Sequence, residues 1–288
     1  MLIDTHAHIQ FQAYKDDRDA VVARCRERGM ILNLVGTQKD TSRLAVELAE
    51  QYDWMYASIA THPIHLHPTH VDEEETHFMS REESFDWDHY GELAKSKKVI
   101  GVGETGLDLY HIPKDKTVEE VLAKQTQVFL DHVEFARLHD LPLVIHCRDG
   151  SPALTTGAHD SMIKILKSLK REIRGTVHCY TSDWAHAEAY LALGLYLGFT
   201  GVVTFPPKKL DPTPQLDLLE VVKRVPLDRV VVETDSPYLA PQAYRGQRAE
   251  PWMVEEVVKK FAEVRVTSYE EMTGRIEANT RRLFSKIR

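Results

Sequence analysis

Short apolar runs rich in β-branched residues recur along the chain, near residues 2–6, 31–36, 55–60, 98–103, 142–146, 174–178, 195–200 and 229–234. They do not alternate apolar with polar positions, the pattern of strands buried on both faces in a parallel sheet. Between them lie stretches with helical spacing, near 16–29, 40–51, 85–96, 117–139, 158–171, 184–193, 215–224 and 251–264. The clearest spaces Val121, Gln125, Val128, Phe129, His132, Phe135 and Ala136 at helical intervals, with Pro142 beyond its end. Eight strand–helix pairs predict an α/β (β/α)₈ TIM barrel, with an additional C-terminal helix near 268–286. No Pro/Gly/Ser-rich linker, tandem repeat or low-complexity tract divides the chain, so residues 1–288 are expected to form a single domain. The same alternation permits an open doubly wound sheet. The polar residues at the strand ends favour the barrel, because only a barrel gathers distant strand ends around one mouth.

Those polar residues are of one chemical kind. Ile3-Asp4-Thr5-His6-Ala7-His8 ends in two histidines spaced i, i+2, which share a face of an extended chain. The run 99–104 ends in Glu104, 143–146 in His146, 175–178 in His178, and 229–235 in acids, the last being Asp235. Four imidazoles and two carboxylates exceed the three protein ligands that one catalytic zinc takes. They suit two divalent ions bridged by a carboxylate. Glu104 is expected to bridge, with His6, His8 and Asp235 on one ion and His146 with His178 on the other. Such a pair lowers the pKa of a shared water toward neutrality, and Asp235 could serve as general base as well as ligand. Zinc fits the ligand types best, and Mg, Mn, Ni or Co are also admitted.

Composition narrows the class. The formal charge of −8 argues against broad coating of nucleic acid, yet allows an enzyme that grips a few phosphates locally. Cys25, Cys147 and Cys179 imply no disulfide framework, and a reducing cytoplasm fits this usage. Both Cys147 and Cys179, each one residue past a candidate ligand, are expected to pack toward the helix layer. No apolar stretch approaches a membrane span, and a monomer is compatible with the sequence. The acidic run Asp72–Glu75 reads as a solvated loop.

Arg148 lies two residues past His146 on the same strand-end face, where its guanidinium could hold a phosphate oxygen or pair with Asp149 or Asp108. His62 and His65, just after the third strand, are candidate phosphate or leaving-group contacts. His132, His139 and His186 read as solvated helix residues. The loop from His62 to Ser84 and the Pro-rich segment from Pro206 to Pro214 with Lys208 and Lys209 are positioned to shape access to the mouth. Gly101-Val102-Gly103-Glu104-Thr105-Gly106 fits a dinucleotide pattern, but Leu107–Tyr110 and then Pro113 follow, which is no helix start, so the pattern is set aside.

Several of these phrases resemble one family nearly end to end, the TatD-type metal-dependent deoxyribonucleases. They are Asp4–His8, Gly103–Asp108, Ile145–Asp149, His178–Thr181, Glu233–Pro241 and Asn279–Phe284. The resemblance implies a (β/α)₈ barrel with metal-ligand roles on His6, His8, Glu104, His146, His178 and Asp235. It further implies hydrolysis of ester bonds, typically in DNA from a 3′ end. A single-stranded DNA substrate is therefore expected, with an aminoacyl ester on tRNA as the alternative. Two positions depart from the family pattern: Ile64 follows His62-Pro63, and Ala249 lies within Arg248-Ala249-Glu250-Pro251; the loop from His70 to Ser84 is also extended relative to the family. Glu104 stands where related small-amide hydrolases often carry a carbamylated lysine, which lowers that option. A non-catalytic metal-binding barrel is the third reading, and the presence of all six candidate ligands weighs against it.

Overall fold

The computed structural model describes residues 1–68, 82–150 and 157–288. Its strands are β1 Ile3–Ala7, β2 Ile31–Val35, β3 Met55–Ile59, β4 Val99–Asp108, β5 Leu143–Arg148, β6 Gly175–Val177, β7 Tyr196–Phe199 and β8 Val230–Val232. All eight pair in parallel, in sequence order, within one sheet. The sheet closes just past β8, where Ala7 bridges Ser236, Asp235 N–H donates to His6 O, and His8 N–H donates to Ser236 O, both at 2.8 Å. Around it run α1 Arg18–Glu27, α2 Lys39–Ala49, α3 Trp87–Leu93, α4 Val118–Leu138, α5 Ala158–Ser168, α6 Trp184–Ala192, α7 Thr213–Arg224 and α8 Val254–Arg265. The additional helix α9 spans Tyr269–Leu283. This is the TIM barrel that the pattern predicts. Residues 69–81, with the run Asp72–Glu75 and most of the expected His70–Ser84 extension, lie outside the described residues.

Two strands carry irregularities that strict alternation cannot anticipate. The β1–β2 register shifts between Asp4 and Ala7. Thr5 Oγ1 reaches Glu233 Oε2 at 3.3 Å, while the neighbouring His6 ring stacks on His178, itself bound to Glu233. Consecutive side chains thus meet the same cluster, as a β-bulge allows. The β4–β5 register shifts between Val102 and Thr105. The fourth strand runs to Asp108 rather than ending before Glu104, because Thr105–Asp108 pair with Ile145–Arg148. Gly106 (φ 152°) is required there: a Cβ would collide with the His146 carbonyl.

Helix α4 begins in a capping box, with Thr117 Oγ1 accepting from Glu120 N–H and Glu120 Oε2 accepting from Thr117 N–H. Its buried stripe carries two polar groups that pin strand ends. Gln125 pairs both backbone groups of Asp108, at 3.0 and 2.9 Å. His132 is fully buried rather than solvated, since its Nδ1 donates to Val128 O and its Nε2 accepts Thr61 N–H at 3.0 Å. Burial pushes its pKa down to about 4, so it holds the β3 end as a neutral ring. His139 and His186 are only partly buried.

The floor of the barrel is apolar. Ile3, Ile31, Tyr56, Ile100, Val144, Tyr196 and Val231 form one buried cluster with Leu283, Phe284 and Ile287. The end of α9 therefore plugs the N-terminal face of the sheet. The opposite face, where the strands end, carries the polar residues. Among the described residues, no helix is long and apolar enough to cross a membrane.

Candidate metal centre

The strand ends bring His6, His8, Glu104, His146, His178 and Asp235 into one cluster. His6 Nε2 lies 3.2 Å from His8 Nε2, 3.2 Å from Glu104 Oε2 and 3.7 Å from Asp235 Oδ1. His8 Nε2 lies 3.3 Å from Asp235 Oδ1. On the other side, Glu104 Oε1 is 2.7 Å from His146 Nδ1 and 3.1 Å from His178 Nε2. Glu104 thus faces His6 with one oxygen, and His146 and His178 with the other. Asp235, at φ 60°, sits in the left-handed region just past β8, which turns its carboxylate into the mouth.

Outer groups decide which ring nitrogens face inward. His8 Nδ1 donates to Val35 O at 2.7 Å, leaving the Nε2 lone pair toward His6 and Asp235. His178 Nδ1 pairs with Glu233 Oε1 at 3.1 Å, leaving Nε2 toward Glu104. His146 is reversed, since Nε2 pairs with Asp108 Oδ2 at 3.0 Å and Nδ1 faces Glu104. Lone pairs of imidazole and carboxylate therefore converge at close range, and each such contact demands a proton or a cation. Ligand atoms around a tetrahedral zinc stand about 3.3 Å apart, given Zn–N of about 2.0–2.1 Å. The separations observed here match that spacing. His6 turns Nε2 into the cluster, and its Nδ1 is buried without a hydrogen-bond partner among the described residues.

The electrostatics agree. Burial opposes charge on every member, yet the imidazoles hold the Glu104 carboxyl well below the usual range and that of Asp235 below it too. Against the pull of burial, Glu104 and Glu233 hold His178 well above its ordinary value, and Asp108 with Glu104 push His146 up to about 9. Desolvation lowers His6. The pocket concentrates negative charge that calls for positive charge beside it. His6, His8 and Asp235 present ligand atoms within 4.8 Å of one another, as do His62, Glu104 and His146, and also His6, His178 and Glu233. These clusters are consistent with a binuclear metal centre.

A family model described as TatD related DNase matches residues 3–285. The chain belongs to the TatD family. Its relatives include the uncharacterized metal-dependent hydrolase YabD of Bacillus subtilis, 35% identical over 286 residues and covering 99% of both chains. The 3′-5′ ssDNA/RNA exonuclease TatD of Erwinia amylovora is 31% identical over 294 residues, covering 98% of this chain and 99% of its own. Among solved structures, the TatD homologue YJJV of Escherichia coli superposes with a TM-score of 0.78 at 26% identity, covering 99% of this chain and 98% of that one. The protein is a metal-dependent hydrolase of the TatD family.

Other expected contacts of this TatD-family chain are distributed unevenly. His62 Nε2 comes within 3.2 Å of Glu104 Oε1. Its Nδ1 accepts Ile64 N–H at 3.2 Å, so the proton rides on Nε2 and the ring donates to Glu104. Burial lowers its pKa to about 4, which keeps it neutral. His65 is fully buried, its ring centroid 6.2 Å from that of His62. Arg148 is exposed and lies over the Tyr110 ring, 3.9 Å from its centroid. It does not pair with Asp108 or Asp149, whose carboxylates serve His146 and the start of α5. Arg248 and Glu250, beside the departing Ala249, are tied to Asp17 and Arg24 on the α1 side.

Three acids escaped the reading of the sequence. Glu233 orients His178, and Asp108 orients His146. Buried Asp4 accepts His6 N–H, Thr234 N–H and Thr234 Oγ1–H, tying the strand 1 end to that of strand 8. Glu233 stands two residues before Asp235, and Asp108 four after Glu104, so period-two spacing from each candidate ligand is the signal that could have found those two. Cys147 is buried, with Tyr190 O–H donating to its sulfur. Cys179, at φ 46° beyond the end of β6, is only partly buried against Thr200.

Proposed function

We propose that this protein is a divalent-metal-dependent 3′–5′ deoxyribonuclease acting on single-stranded DNA. The observation that carries the reading is the double-faced Glu104, with His6 at one oxygen and His146 and His178 at the other. His6, His8 and Asp235 would hold one ion, His146 and His178 the second, and Glu104 would span both. Bound there, two ions would polarise the phosphoryl oxygen and render an attacking water acidic. Asp235, its side chain partly exposed at the mouth, can accept that water's proton. Asp108 and Glu233 keep the His146 and His178 rings turned for this task. His62 Nε2–H, which donates to Glu104, would be a neutral donor for a phosphate oxygen once metal takes the Glu104 oxygen. The relatives described as 3′-5′ ssDNA/RNA exonucleases support the substrate class.

The test combines elemental analysis of purified protein with a DNA degradation assay across Mg, Mn, Zn, Ni and Co. Loss of 3′-terminal nucleotides is expected, with at least about 1,000-fold lower rates in Asp235→Asn and Glu104→Ala. Intact DNA under every metal, with turnover of a D-aminoacyl-tRNA instead, would transfer the assignment to ester hydrolysis on tRNA.

A further inference from the structure

Beside the histidine cluster lies a cavity of about 420 Å³ lined in part by Tyr110, Arg148, Asp149, His159, Thr181 and Ser182. It opens between the end of β5 and the segment that follows β6: Arg148 is two residues beyond His146, and Thr181 three beyond His178. Its size lies at the small end of ligand sites, room for one nucleotide rather than several. Much of its polar lining is already engaged. Asp149 Oδ1 accepts Gly157 N–H and Ala158 N–H at the start of α5. His159 Nδ1 pairs with Tyr190 Oη at 3.0 Å, and Ser182 Oγ with His186 Nδ1 at 2.9 Å.

What the cavity offers a ligand is the Tyr110–Arg148 pair. The guanidinium lies against the phenol ring, 3.9 Å from its centroid, while the Tyr110 residue stays 54% exposed. Stacking consumes a face of the guanidinium and leaves its in-plane N–H donors pointing outward, where a phosphate oxygen can accept them. An exposed aromatic ring beside such a cation is a stacking surface for any nucleobase. Asp108 links this pair to the proposed centre. Its Oδ2 meets His146 Nε2 at 3.0 Å, and its Oδ1 accepts Tyr110 N–H and His111 N–H at 2.9 and 2.8 Å. One carboxylate thereby sets both a candidate metal ligand and the turn that carries the ring.

We propose that Tyr110 and Arg148 form a nucleotide-recognition element, in which Tyr110 stacks a base adjoining the scissile phosphate and Arg148 grips a phosphate oxygen of the same strand. The assignment rests on the nuclease reading for its substrate. Binding is read without turnover, using a single-stranded oligonucleotide with 2-aminopurine at its two 3′-terminal positions in the presence of EDTA. Wild type and Tyr110→Phe quench the fluorescence saturably, and Tyr110→Ala abolishes the quench and weakens binding about 10-fold. Arg148→Met weakens binding and lessens its salt dependence. With metal, Tyr110→Ala lowers kcat/KM about 10-fold on the natural oligonucleotide. It lowers the rate clearly less on one whose two nucleotides flanking the last phosphodiester are abasic, where only the ring's support of Arg148 is lost. An unchanged quench in Tyr110→Ala, or equal losses on both substrates, overturns the proposal. If metal-loaded wild type leaves both oligonucleotides intact, the nuclease reading fails, and the quench alone still judges the stacking surface.

Discussion

At the scale of single residues, the cluster is decided by which nitrogen each ring turns inward. His8 and His178 offer Nε2, and His146 offers Nδ1, because Val35 O, Glu233 and Asp108 take the other ring atom. His62 has the opposite arrangement and presents a proton to Glu104. Removing an orienting carboxylate therefore frees a ring without deleting a ligand. Asp108→Ala is expected to weaken binding of one of two metal ions by about 10–100-fold and to leave the other near its native affinity. Competition titration against a chromophoric chelator checks this, and a single-step loss of both ions would contradict the assignment. The six candidate ligands were legible in the sequence because each follows a β-branched run. Period-two spacing puts Asp108 on the face of Glu104, but its task was hidden, since it depends on the His146 ring it meets and on Gln125 holding its backbone.

At the scale of elements, two helices do more than cover the sheet. Helix α4 sends His132 to the β3 end and Gln125 to the β4 end, so a helix read as an apolar stripe also fixes the rim of the site. Helix α9, read as an addition, ends in the barrel floor. Phe284 is fully buried against Ile3, Ile31, Tyr56, Ile100, Val144, Tyr196 and Val231. Phe284→Ala should cost about 3–5 kcal/mol, because the surrounding strands cannot collapse into the space. Denaturant unfolding in the presence of metal measures it, and a change below about 1 kcal/mol would show that α9 is dispensable. Helical spacing exposes such a helix but is silent on where it docks, which is why its plugging role was missed.

At the scale of the whole molecule, the closed barrel concentrates histidines and carboxylates that local charge alone leaves unbalanced. His146 has a folded pKa of about 9, raised above its ordinary 6.5 by Asp108 and Glu104 against the pull of burial. A raised value makes its protonated form stabilising below pH 6.5, and that contribution disappears as pH climbs through 9. In EDTA the melting temperature should therefore fall between pH 6.5 and 9, with up to about 3 kcal/mol lost from this group. With excess divalent metal the fall should vanish, because a cation replaces the proton and binds more tightly as protons leave. Thermal unfolding across that range, with and without EDTA, separates the two; parallel curves would count against a metal centre at these residues. The sequence alone determined the alternation of buried strands and amphipathic helices, and with it the barrel and the residue types at its mouth. Burial periodicity is local, so it survives in one dimension. Only the tertiary structure decided the register shifts along β1 and β4, the ring orientations, the α9 plug and the pairing of Tyr110 with Arg148. Each of these depends on contacts between segments far apart in the chain, whose distances no local pattern encodes.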